Sequence, residues 1–166
     1  MSAALPLRVR LAYALPAFVI AVPMIPVFIN LPTFYGVELG LGLATTGLIM
    51  LLARLFDTVS DPLMGIVSDR YRWRGLRRKP WITLGAVICG MALFNLLIPP
   101  AEVSDAGFLL WSVLLYAGWT MVAIPYLAWG AELTSNYHQR TGLTGWREGC
   151  GLLGILAAGT VMAVTA

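Results

Sequence analysis

LGLATTGLIMLLARLFDTVSDPLMGIV, residues 41–67, is an apolar run interrupted by three charges, Arg54, Asp57 and Asp61. As a helix it would be about 40 Å long at 1.5 Å per residue, enough to cross a lipid core of about 30 Å with tilt. Ionisable side chains inside a span are costly and turn toward protein or an aqueous cavity. Asp57 lies about ten residues, or about 15 Å, from the far end of the run and so near the middle of the membrane, and Asp61 is one turn further along. A spacing of four puts both carboxylates on one helix face, with Arg54 three residues before Asp57 and close to the same face.

Two neighbouring carboxylates resist ionising together unless a cation or a proton intervenes. Hard cations such as Na+ favour oxygen ligands, so Asp57 and Asp61, with Thr58 or Ser60 nearby, are candidate metal ligands; alternatively one Asp carries a coupling H+. A structural reading makes Arg54, Asp57 and Asp61 an ion-pair network that ties this helix to its neighbours. Buried pairs stabilise poorly, however, and this one leaves a carboxylate over. An enzymatic reading sets Ala53-Arg54 and Gly65 to Asp69 beside the Asp-rich membrane enzymes that transfer phospho-alcohols. Their metal site needs further aspartates; residues 46–52 contain none and Trp73 stands where the last would fall, so no enzyme is expected.

The rest of the chain has the same character. Of its 166 residues 59% are hydrophobic and 11% charged, against about a quarter charged in soluble domains. Apolar segments at 11–35, 81–98, 108–130 and 146–166 join 41–67 to make five spans. The fold class is therefore all-α, a polytopic membrane helix bundle surrounded by lipid. The first segment is too long for a signal peptide and no small-x-small cleavage site follows it. Pro16, Pro23, Pro26 and Pro32 predict kinks within it.

Six of the eleven Lys and Arg residues fall between Arg70 and Lys79, so the net charge of +3 is a local loop property and no nucleic-acid partner is implied. Arg8 and Arg10, that loop, and Arg140 with Arg147 alternate with connections bearing only Glu38, Glu102 and Asp105. The positive-inside rule then places the N-terminus in the cytoplasm and the end of the fifth span outside. Cys89 and Cys150 lie within apolar segments and read as small hydrophobes. Five spans fit no symmetric repeat, and the sequence ends on a span without a polar tail, which predicts truncation.

Beyond the aspartates runs Gly65-Ile-Val-Ser-Asp69-Arg70, then Arg72, Trp73, Arg74, Gly75, Arg77, Arg78, Lys79, Pro80 and Trp81. Physically this is a short cytoplasmic turn whose cations hold topology and whose Asp69 can pair locally, with Arg70 and its neighbours, or cap the next helix. The Gly-x-x-x-Asp-Arg run and the Gly-Arg-Arg-type cluster resemble the signature loop of the major facilitator superfamily. With Arg54-x-x-Asp57-x-x-x-Asp61-Pro62-x-Met64-Gly65 and Lys79-Pro80-Trp81, the chain resembles the melibiose-permease-like glycoside-pentoside-hexuronide:cation symporters. The likeness extends from Tyr13-x-x-x-Ala17-Phe18 through Ile124-Pro125-Tyr126 to Arg147.

That resemblance implies a cation-coupled transporter of a sugar or similar small solute, with Na+ or H+ at Asp57 and Asp61 and no other cofactor. It implies Thr120 as a neighbouring oxygen donor and Arg147 as an arginine near the sugar. The acidic residues with which galactoside-transporting members hold sugar fall here at Ala21 and Ala123, which leaves the solute open. It further implies twelve helices in two halves with substrate between them. Residues 1–166 would then be a partial N-terminal bundle in a bacterial inner membrane, lacking a C-terminal half and unable to transport alone. A rival reading is a non-transporting membrane scaffold or assembly protein.

In the fourth segment, Phe108, Trp111, Tyr126 and Trp129 lie near the ends and read as membrane-interface anchors. Tyr116 and Trp119 lie nearer mid-span three residues apart and could stack on a substrate, or simply pack. In the fifth, Gly145, Gly149, Gly151, Gly154, Ala158 and Gly159 predict close helix approach. His138 reads as a solvated loop residue, and Glu132 and Arg140 as charges able to pair at the cytoplasmic face.

Overall fold

The structure is a computed structural model that describes residues 5–71, 78–100 and 102–165. Among these, five helical segments are long and apolar enough to cross a membrane: Leu7–Glu38, Leu43–Arg70, Lys79–Leu97, Asp105–Glu132 and Tyr137–Val164. The chain is an all-helical integral membrane bundle. The expected five spans are all present, with shifted ends.

The first segment contains α1, Leu7–Ala21, and then loses α-helical geometry. Pro16 is accommodated inside α1, and a turn at Val22 and Pro23 ends it. Beyond lie two π-helical stretches, Pro26–Asn30 and Phe34–Glu38, flanking a single α-helical turn at Leu31–Thr33 that holds Pro32. Prolines lack the N–H and crowd the preceding turn, so a widened helix is the local answer to three of them in ten residues. The expected kinks are thus spread as a wide-turn region.

Four long helices follow: α2, Leu43–Arg70; α3, Lys79–Leu97; α4, Asp105–Glu132; and α5, Tyr137–Thr165. Gly40 and Gly42 hold φ of 76° and 85° ahead of α2, a left-handed backbone that side chains disfavour. The Ser104 hydroxyl caps α4 by accepting from Gly107 N–H at 3.1 Å. Asn136 Oδ1 caps α5 by accepting from the N–H groups of His138 and Gln139 at 3.0 and 3.4 Å. That cap starts α5 nine residues before the apolar run at 146, because a capped helix extends past the hydrophobic core into polar sequence. His138 is consequently an exposed first-turn helix residue, which corrects its reading as loop. Arg140 donates to the Ala131 carbonyl at 3.1 Å, closing the connection at 133–136. The loop residues Arg72, Trp73, Arg74, Gly75 and Arg77 lie outside the described residues.

The chain divides into two compact units, residues 1–30 with 130–166, and residues 31–129. In the first, α1 packs on α5. Gly154 lies against the Phe18 carbonyl and Ala21, and a Cβ there would collide with that carbonyl, so the two backbones touch. In the second, α3 and α4 approach through Gly85 and Gly118, where a Cβ on Gly118 would lie 2.6 Å from the Cys89 nitrogen. Tyr35 stacks on Phe108 with ring centroids 4.0 Å apart and donates to the Leu96 carbonyl at 3.1 Å. Phe108 and Tyr126 are buried, at 1% and 5% exposure, which corrects their reading as interface anchors; protein contacts claim these rings.

Helix α2 positions the polar groups. Thr46, Ile49, Ala53, Met64 and Ser68 are buried along one face, and Asp57, Ser60 and Asp61 fall on the same stripe, half-buried. Its other side presents Leu48, Leu51, Leu55, Val59, Leu63 and Ile66, all exposed as a lipid-facing surface requires.

Candidate functional site

Helix α4 lies alongside α2 in parallel, as three pairings show: Arg54 with Tyr116, Asp57 with Thr120, and Gly65 with Ile124. At the middle of this seam Thr120 Oγ1 is 2.7 Å from Asp57 Oδ1 and 2.9 Å from Asp61 Oδ1. It is also 3.4 Å from Ser60 Oγ, which in turn donates to the Asp57 carbonyl at 3.0 Å. Thr120 is buried at 2% exposure. Asp57 is at the centre of the 28-residue helix, so its mid-span position follows from the observed bounds.

A hydroxyl carries one proton, so Thr120 donates to one carboxylate at a time. Its second short contact is favourable when the other carboxyl carries a proton or when a cation bridges the oxygens. Pro62, inside α2, has no N–H for the Thr58 carbonyl one turn back, so that backbone oxygen lacks its usual i+4 donor. Among the described residues no third Asp, Glu, His or Cys joins the two aspartates. The donor set is therefore two carboxylates and hydroxyls, hard oxygen chemistry suited to Na+ or H+.

The other expected residues divide clearly. Arg54 acts electrostatically on Asp57 and holds its guanidinium 6.0 Å from the Tyr116 ring centroid, at the outer limit of a cation–π contact. Tyr116 is buried, whereas Trp119 is half-buried and is not brought to the aspartates by any contact. The Thr58 hydroxyl is exposed and bonds back to the Arg54 carbonyl at 3.1 Å, so Ser60 occupies the place expected for it. The stripe at 46, 49, 53, 57, 60 and 64 held the signal for Ser60, since Thr58 falls off it.

Asp69 pairs at 3.0 Å with Arg78, while Arg70 is exposed at the end of α2. Arg78 is 8% exposed and its guanidinium also reaches the Pro125 carbonyl of α4 at 3.5 Å. Nothing in the cation cluster distinguishes Arg78 from its neighbours by sequence, and only the placement of α3 selects it. Arg147 belongs to the α1–α5 unit, where it pairs with Glu148 and hydrogen-bonds with Tyr13.

Paired carboxylates at the middle of a membrane-spanning helix, met by a hydroxyl from a neighbouring helix, are a costly buried polar cluster of the kind that marks a functional site in a membrane protein. The chain belongs to the MFS/sugar transport protein family, which it matches over residues 12–165, and within it to the glycoside-pentoside-hexuronide:cation symporters. It is 33% identical over 118 residues to the inner membrane symporter YicJ of Escherichia coli, covering 69% of this chain and 25% of that protein. It is 31% identical over 128 residues to the putative glycoside/cation symporter YagG of the same organism, covering 75% of this chain and 28% of that protein. The isoprimeverose transporter of Lactiplantibacillus pentosus is 26% identical over 157 residues, 92% of this chain and 32% of that protein. The chain thus spans about a quarter of the length of the curated relatives it matches.

Proposed function

We propose that the protein is a cation-coupled symporter of a sugar or similar small organic solute, and that residues 1–166 form the N-terminal bundle of a longer transporter. The observation that carries this reading is the Thr120 hydroxyl lying 2.7 and 2.9 Å from two mid-span carboxylates. The similarity to YagG, a putative glycoside/cation symporter, and to the isoprimeverose transporter supports a glycoside-like solute, and YagG also supports a coupling cation. In this reading Na+ or H+ sits at Asp57 and Asp61, with Thr120 and Ser60 as neutral oxygen donors. Arg147, Tyr116 and Trp119 are the candidate solute contacts, and the alternating positive loops set a cytoplasmic N-terminus in a bacterial inner membrane.

Coupling then works by differential binding. A cation neutralises the surplus negative charge at the seam and favours the arrangement that takes solute, and by reciprocity the solute tightens the cation. The test is cation-gradient-driven sugar uptake by the complete gene product in proteoliposomes. Asp57→Asn is expected to abolish the cation stimulation while the protein still inserts and folds; stimulation equal to wild type would overturn the reading.

A further inference from the structure

The two ends of the α2–α4 seam differ in how their buried side-chain hydroxyls are satisfied. Toward the cytoplasmic end proposed above, Ser68 Oγ donates to the Gly65 carbonyl at 3.1 Å and Arg78 bonds Asp69 and Pro125. Toward the opposite end, where α2 begins at Leu43 and α4 at Asp105, three hydroxyls are buried with no hydrogen-bond partner among the described residues: Thr46, Ser112 and Tyr116. Their residues are 1%, 3% and 7% exposed. The Trp81 indole N–H and the Nε atom of Arg78, at and just before the start of α3, are also buried without a hydrogen bond among the described residues and lie outside this line.

The three hydroxyls are aligned with the site. Ser112 and Tyr116 precede Thr120 by eight and four residues, one helix face at about 12 and 6 Å along the axis. Thr46 precedes Asp57 by eleven residues, three turns, and shares its face on α2. Arg54 lies over the Tyr116 ring between these hydroxyls and the carboxylates. Buried polar groups in native proteins are nearly always hydrogen-bonded, to protein or to ordered water, so these unsatisfied hydroxyls, Ser112 and Tyr116 on α4 and Thr46 on α2 beside Gly36, make a water-binding pattern.

The geometry points to a short file of ordered water along the Thr46, Ser112 and Tyr116 side of the α2–α4 seam, by which the coupling cation reaches the Asp57, Asp61 and Thr120 cluster from the outer face. This rests on the coupling reading above. Tyr116 and Ser112 are then positioning residues that hold water, and Arg54 stands beside the last step as a fixed positive charge that sets how readily a cation passes.

Hydroxyl-radical footprinting of the complete gene product, read by mass spectrometry, tests the water directly. Tyr35 is the internal control, because it too is buried, at 2% exposure against 7% for Tyr116, and its hydroxyl is satisfied by the Leu96 carbonyl. Tyr116 is expected to oxidise several-fold faster than Tyr35; equal protection of the two would overturn the water file. In a second measurement, Ser112→Ala is expected to slow the response to a cation jump several-fold while leaving its half-saturating concentration unchanged. A merely structural role would move the half-saturation or the melting temperature instead, and an unchanged rate would also overturn the proposal. Footprinting uses no cation, so the two readings fail separately. A protected Tyr116 with an intact Asp57-dependent response removes the water file alone. A labelled Tyr116 with no Asp57-dependent response removes the coupling reading.

Discussion

The α1–α5 pair and the α2–α4 pair solve helix association in opposite ways. Between α1 and α5 the contact is made by absence of side chain, with Gly154 against the Phe18 carbonyl, and Tyr13 and Arg147 supply a polar link. Between α2 and α4 it is made by oxygen atoms, with Thr120 held by Asp57 and Asp61. Close packing of small residues gives van der Waals energy and asks for no charge. The oxygen contact concentrates two carboxylates in a span beside the single charge of Arg54, a surplus negative charge that a cation or proton would balance in the coupling proposed above. Stability in one pair and occupancy in the other are therefore separable, and mutations should separate them.

The largest effect is expected at the carboxylates. Asp57→Asn should weaken the apparent cation affinity of the complete transporter by about 100-fold, equivalent to about 3 kcal/mol, as loss of a charged partner does. Isothermal titration with Na+, or proton uptake measured with a pH dye, reads this, and an unchanged affinity would break the contrast between the pairs. Next comes Gly154→Val, which forces α1 from α5 and should destabilise by about 1–3 kcal/mol in a detergent melt. Its cation affinity, once folded, should match wild type; a parallel loss of affinity would show that the two pairs are one energetic unit.

Removal of Arg78 sharpens the comparison within the second unit. Arg78→Ala removes a buried guanidinium together with its contacts to the Pro125 carbonyl and Asp69 and should cost about 1–2 kcal/mol of stability, to which the 55% exposed carboxylate of Asp69 adds little. Thr120→Val should weaken the cation by about tenfold, near 1.4 kcal/mol, while Thr120→Ser restores it because the oxygen returns. Smallest is Thr58→Val, whose exposed hydroxyl bonds only its own helix; a change below about 0.5 kcal/mol is expected in both melting and titration. A large effect there would move the cation ligands off the Ser60 stripe.

Much of this architecture was legible before any coordinate. The five spans follow from apolar runs, and the shared face of Asp57 and Asp61 follows from a spacing of four. Boundaries were less legible: α5 begins at an Asn136 cap, which hydropathy does not register. Two aromatic residues of α4 depart from the expected interface role for a related reason. Phe108 and Tyr126 sit where interface anchors sit in sequence, yet helix rotation turns them into protein.

By itself, then, the sequence determined that this is a membrane helix bundle with a charged pair at mid-span, since hydropathy, periodicity and the cost of buried charge act locally along one helix. Thr120 was implied by family resemblance, and no spacing within α4 singles it out. Only the tertiary structure decided that its one hydroxyl meets both aspartates, that Ser60 rather than Thr58 joins them, and that Arg78 rather than Arg70 takes Asp69. Those outcomes depend on the rotation and register of helices against each other, and residues some sixty positions apart carry no local signal of where they will meet.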